Sequence, residues 1–145
     1  MKKNLFIILF ATVVGFTATD IVAKTWFYNN TDFDAKIGIM PGISLKLENV
    51  NELETHLIET KNVKTLDDLK GWHVIALQSK SAEGAMLVYR VKFPDTQNVK
   101  VDIYPNSISV MAGLDEVKAR LFTDEELVNM PGYAAFIKKF WAESE

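Results

Sequence analysis

Between residues 25 and 111 apolar side chains recur mostly at every second position, and after Gly113 they recur every three to four. This change of period constrains the fold more than any motif in the chain. A period of two places alternate side chains on opposite faces of a strand, so a run with one apolar and one polar face needs a second layer to cover it. In Ile43-Ser44-Leu45-Lys46-Leu47-Glu48 the alternation is complete, and Val99 to Tyr104 follows the same theme. Ala85 to Phe93 also alternates, but its first half is apolar on both faces, which suggests a central strand. Trp72 to Gln78 is apolar at nearly every position except His73, the pattern of a strand buried on both faces. Pro41-Gly42, Ser81-Ala82-Glu83-Gly84, Pro94-Asp95 and Pro105-Asn106-Ser107 separate the runs with turn-forming residues. Short strands joined by short turns predict an antiparallel, β-rich sheet or sandwich of about six or seven strands.

The segment from Asn51 to Lys70 reads two ways. Asn51 with Glu54 suits a helix cap, and Thr65 with Asp68 before Gly71 frames a helical turn, but a strand through His56–Glu59 fits nearly as well. Beyond Gly113, Leu114, Val117 and Leu121 share one helical face, and Thr123-Asp124-Glu125-Glu126 reads as a capping box opening a short second helix. Tyr133, Phe136, Ile137, Phe140 and Trp141 then fall at i, i+3, i+4, i+7 and i+8, which predicts an amphipathic helix. Strands first and helices last define an α+β chain whose C-terminal amphipathic helices cover one sheet face.

The N-terminus reads as a secretory signal peptide, residues 1–23. Lys2 and Lys3 precede the apolar run Leu5 to Phe16, and a small residue, Ala23, stands at the exit. The run is too short to span a bilayer before Asp20 interrupts it. Cleavage after Ala23 is the first expectation and cleavage after Thr19 the second; a buried N-terminal strand or an uncleaved anchor is the competing reading. Residues 24–145 then form a single exported domain, periplasmic or extracellular, with no transmembrane segment. The whole chain carries a net charge of −3. Loss of Lys2, Lys3 and Asp20 makes the remainder one unit more negative, the wrong sign for a nucleic-acid partner. There are no cysteines, so thiol catalysis and cysteine-based metal centres are excluded and an exported fold must be held by its core alone.

Chemistry-bearing patterns are few. In Trp26 to Ile39, Asn30, Asp32 and Asp34 are spaced two apart like oxygen ligands of a calcium loop, and Asn29-Asn30-Thr31 reads as a glycosylation acceptor. Counted from Asn30, however, the sixth and twelfth positions are Ala35 and Pro41 rather than Gly and Glu. The corner of a hairpin is therefore the preferred reading, since Asn and Asp hydrogen-bond their own backbone in turns. His56 and His73 are the two histidines, with Glu59 three residues after the first. Together they could hold a catalytic zinc only if the fold gathered them, and His73 lies in an otherwise apolar strand. Ser in G-x-S-x-G and glycine-rich phosphate loops are absent.

Two uses compete for the C-terminal aromatic face. Phe136, Phe140 and Trp141 either pack onto the sheet or form a docking surface, together with Tyr28 and Phe33 near the corner and the loop around Pro105. The expectation is an exported, non-catalytic binding module without a cofactor, its ligand a protein, a glycan or an envelope component. The alternatives are a small exported hydrolase using His56, His73, Glu59 and another carboxylate such as Asp102, and an inhibitor or immunity-type partner.

Overall fold

A computed structural model describes residues 23–42, 47, 49–79 and 86–142. Residues 1–22 of the anticipated signal peptide, most of the strand anticipated over 43–48 and the turn 81–84 fall outside the described residues. Among the described residues the architecture is α+β: ten strands in two five-stranded sheets, then two short helices. In chain order the elements are β1 (Lys24–Asn29), β2 (Ala35–Pro41), β3 (Glu54–Ile58), β4 (Val63–Asp67), β5 (Gly71–Ser79), β6 (Met86–Phe93), β7 (Val99–Tyr104), β8 (Ser107–Ala112), β9 (Asp115–Glu116), β10 (Ala119–Leu121), α1 (Asp124–Val128) and α2 (Tyr133–Ala142). A 3-10 turn, Val50–Glu52, leads into β3.

One sheet, here the outer sheet, has the order β4-β1-β7-β8-β9; the other, the central sheet, runs β10-β6-β5-β2-β3. All pairings are antiparallel except β1 with β7, which run parallel with Trp26 beside Lys100 and Tyr28 beside Asp102. Alternation sorts the side chains. Phe27, Val99, Val101, Ile103 and Val110 of the outer sheet meet Ile37, Ile39, Ile75, Leu77 and Val91 of the central sheet in one core. The opposite face of the central sheet presents Met40, Val74, Ala76 and Val88 to Leu53, Phe122, Leu127, Phe136 and Phe140 in a second core. The central sheet is thus buried on both faces, which explains why Val74 to Gln78 reads as an unbroken buried run.

The amphipathic tail supplies the third layer. Phe136 and Phe140 are 0% exposed, and a Cβ placed on Gly38 would lie 2.9 Å from Phe140 Cδ1 and 3.1 Å from Leu53 Cδ1. Glycine at this point of β2 lets the helix approach the strand backbone directly. The capping box forms as its sequence suggests: Glu126 N–H donates to Thr123 Oγ1 (3.1 Å) and Thr123 N–H to Glu126 Oε1 (2.9 Å).

Three expectations are corrected. The described residues alone form ten strands rather than six or seven, because the ambiguous segment 51–70 supplies β3 and β4 instead of helices and the stretch after Gly113 supplies β9 and β10. Leu114, given a helical face, is 97% exposed in the β8–β9 turn. Ala119 to Leu121 pair with β6 across Val91, Arg90 and Tyr89. Three apolar residues at helical spacing do not outweigh hydrogen bonds along an otherwise unpaired sheet edge. Finally, the corner after β1 is no hairpin: β1 and β2 belong to different sheets.

Candidate functional site

That corner is an arch that carries the chain from one sheet to the other, and Asn29 is its keystone. Asn29 is 0% exposed. Its amide donates to the carbonyls of Phe33 (2.7 Å) and Ile58 (2.9 Å), while its Oδ1 accepts from Thr31 N–H (2.9 Å) and Thr31 Oγ1 (2.6 Å). A second arch, between β3 and β4, stacks on the first. Asn29 N–H donates to the Asn62 carbonyl (3.0 Å), Lys61 N–H to the Asn29 carbonyl (2.9 Å), and Thr60 Oγ1 to the Thr31 carbonyl. Asn29 and Thr31 thus satisfy backbone groups that the corner takes out of water. A fully enclosed Asn29 with both ends of its amide engaged offers no glycosylation acceptor in the folded chain.

Two of the three spaced oxygen residues of this corner have different side-chain partners. Asn30 donates its amide to Asp102 Oδ1 on β7 (3.0 Å), whereas Asp32, its side chain 86% exposed, lies 3.6 Å from Lys61 Nζ. Among the described residues no three His, Asp or Glu side chains group closely enough to hold a metal ion.

The histidines also stay apart. His73 lies at the start of β5, edge-on to Phe93 at 5.5 Å, with Nδ1 3.3 Å from the Gly71 carbonyl. His56 lies on the edge strand β3, its Nε2 3.8 Å from Glu54 Oε1 and without a hydrogen-bond partner among the described residues. Burial holds both imidazoles below their ordinary pKa. At His56 the Lys64 ammonium adds to this and Glu54 opposes it; at His73 the Gly71 carbonyl opposes it. They line two different cavities, His73 beside Leu66 and Leu69 and His56 beside Thr55 and Lys139, with Leu53 and Glu54 as the wall between. Glu59 lines neither; it belongs to the second arch, where Asn62 donates to its carboxylate at 3.3 Å. Asp102 lies on the outer sheet. A hydrolase built on these groups needs them within reach of one substrate atom, and the fold does not bring them together.

The aromatic candidates divide by layer. Phe136 and Phe140 are core and unavailable to a partner in this conformation. Trp141, 42% exposed, stands edge-on to Phe140 at 5.0 Å, and the buried Lys36 places Nζ 5.0 Å from the Phe140 ring. Phe33 is exposed on the first arch. Tyr28 has a different setting. It projects from the solvent side of the outer sheet, the face opposite Phe27, together with Trp26 two residues before it.

Register fixes what surrounds these two rings. Trp26 has Thr65 on one side and Lys100 on the other; Tyr28 has Val63 and Asp102. Ser109 and Met111 of β8 continue the two rows beyond Asp102 and Lys100, and Tyr104 lies further along β7 on the same face. Lys100 Nζ is 5.9 Å from the Tyr28 ring and 3.6 Å from Asp102 Oδ1. Asp102, only 15% exposed at its side chain, is held by both Lys100 and Asn30. None of these outward residues belongs to either apolar cluster. The outcome is a twisted platform on which half-buried or exposed rings alternate with hydrogen-bonding groups of fixed orientation.

Trp26, Lys100 and Tyr104 were not singled out by sequence. The available signal was parity: Trp26 and Tyr28 share one face of a strand whose other face carries Phe27, but parity alone does not say which face is wet. No protein-family model matches the chain, and no curated protein sequence shows detectable similarity to it.

Proposed function

We propose that the protein is an exported, non-catalytic binding module that engages a hydroxyl-rich ligand, a glycan, through the solvent face of the outer sheet. One observation carries this reading: Trp26, Tyr28 and Tyr104 project from the sheet face that no described helix covers, interleaved with Lys100, Asp102 and Ser109. Aromatic rings offer rigid, flat contact area at low entropic cost. The faces of sugar rings are apolar enough to lie against them while the flanking charged and hydroxyl groups take the sugar hydroxyls. The Asn30 hydrogen bond and the Lys100 ion pair that hold Asp102 before any ligand arrives favour binding, because little side-chain freedom remains to be lost. A protein partner is the weaker match, since the rings are interrupted by polar side chains rather than fused into one apolar patch.

Retention of the purified protein on a panel of immobilised cell-envelope and storage polysaccharides tests the reading. At least one glycan should retard the native protein, and Trp26→Ala with Tyr104→Ala should abolish the retardation without changing the fold. Unchanged retention in that double variant would refute it. An inhibitor or immunity-type role would instead appear as a stable one-to-one complex with a protein, insensitive to the same changes. Export is part of the proposal and has its own readout, the intact mass of the protein recovered outside the cytoplasm. The Ala23 carbonyl accepts Asp68 N–H at 2.8 Å, a bond that cleavage after Thr19 keeps and cleavage after Ala23 removes.

A further inference from the structure

At the end of the sandwich away from the stacked arches, a cavity of about 420 Å³ opens where β3 begins and β4 ends. Its size falls within the range of small-ligand sites. Ile39, Leu66 and Leu69 give it apolar lining continuous with the core between the sheets. His73 forms part of the wall, and when Nδ1 donates its proton to the Gly71 carbonyl the neutral ring has Nε2 left as an acceptor. Burial disfavours the charged form of that ring, against the opposing pull of the Gly71 carbonyl.

The mouth is acidic. Glu52, Glu54 and Asp67 line it, and the described lining residues include no Lys or Arg. The Glu54 and Asp67 side chains are 73% and 60% exposed, so they act as a rim rather than as buried charges. Among the described residues, neighbouring charge answers this only in part, Lys70 pairing with Asp68 at 3.4 Å. Lys24 Nζ lies 3.8 Å from Asp67, and the His56 ring 3.8 Å from Glu54 is held below its ordinary pKa. The Lys139 ammonium, in the neighbouring cavity, is committed to the carbonyls of Val50 (3.1 Å) and Asn51 (3.2 Å).

We propose that this cavity binds an organic cation, a primary ammonium or guanidinium carried on an aliphatic stem. The stem would lie against Ile39, Leu66 and Leu69, and the head would sit among the rim carboxylates with the His73 nitrogen as a further acceptor. A bare metal ion is the wrong occupant, because hard cations need oxygens converging at short range and these carboxylates do not converge. A cation on a stem needs only an apolar slot and a negative mouth. The site is distinct from the aromatic platform on the outer sheet, and its test does not depend on that surface.

Such a head group could come from a free alkyl amine or from a basic side chain of a peptide. The experiment titrates methyl-labelled protein with 1,5-diaminopentane and, separately, with the blocked tripeptide acetyl-Ala-Lys-Ala-amide; 1,5-pentanediol and glutarate serve as neutral and anionic controls. The expected result is saturable movement of the Leu66 and Leu69 methyl signals with at least one amine and with neither control. The tighter amine identifies the source. The doubly neutralised variant Glu54→Gln, Asp67→Asn should weaken binding tenfold or more at unchanged thermal stability, and raising salt from 0.05 to 0.5 M should weaken native binding in the same direction. Should neither amine move those signals, should the diol move them equally, or should affinity survive both neutralisation and salt, the proposal is overturned. Trp26→Ala should leave the titration unaltered.

Discussion

The two sheets treat their aromatic residues in opposite ways. On the helix side of the central sheet, Phe136 and Phe140 vanish from solvent, Phe140 directly over Gly38; on the far side of the outer sheet, Trp26 and Tyr28 stay half-exposed. The residue types are similar, and what differs is the element that carries them. A helix with rings at i and i+4 has a movable apolar stripe that can be laid onto a sheet. A ring on a strand has its direction fixed by the pleat, so once Phe27 points inward its neighbours must point out. Aromatic residues therefore report burial only after their element has found its layer.

The sharpest way to break this contrast is to cut the covered side. Phe140→Ala should cost about 3–5 kcal/mol in denaturant unfolding; a loss below about 1 kcal/mol would mean that the helix layer is not part of the cooperative core. Next in size is Gly38→Ala, whose added methyl meets Phe140 and Leu53. Overpacking of this kind costs about 1–3 kcal/mol, and combining it with Phe140→Leu should recover part of the loss if the contact is the cause.

Acid tests the same contrast, because both histidines belong to the central sheet and neither to the outer one. Their pKa values are lowered in the folded protein, so the unfolded chain takes up protons near pH 6.5 while the folded chain resists until lower pH. Stability should be full above pH 6.5 and fall as acid is added down through the folded values. Denaturant midpoints measured from pH 7.5 to 5 should show this fall, and it should flatten in the His56→Gln, His73→Gln variant. If the two pH profiles coincide, the histidines do not carry the effect. Smallest of all should be the stability change at the open face. Trp26→Ala should shift the unfolding free energy by under about 1 kcal/mol while removing ligand retention; a core-sized loss would place Trp26 with Phe140 rather than apart from it.

Much of this contrast was legible before any coordinates. Alternation in Val99 to Tyr104 and Ala85 to Phe93, the Thr123–Glu126 capping box and the ring spacing from Tyr133 to Trp141 each mark an element through forces acting within a few residues. The short edge strands were hidden because their reason for existing is distant: Ala119 to Leu121 are extended since β6 offers an edge. The cation cavity was hidden too, as Glu54, Asp67 and His73 come from three strands and two sheets.

By itself the sequence determined period, polarity and composition, and from them an α+β chain in which strands precede a covering helix. The tertiary structure alone decided which way each strand faces, and therefore that Asn29 joins two sheets instead of turning a hairpin, that the histidines look into different cavities, and that Trp26 meets solvent. The physical reason is that a strand's two faces are equivalent until a second layer is laid against one of them. That choice depends on contacts far apart along the chain.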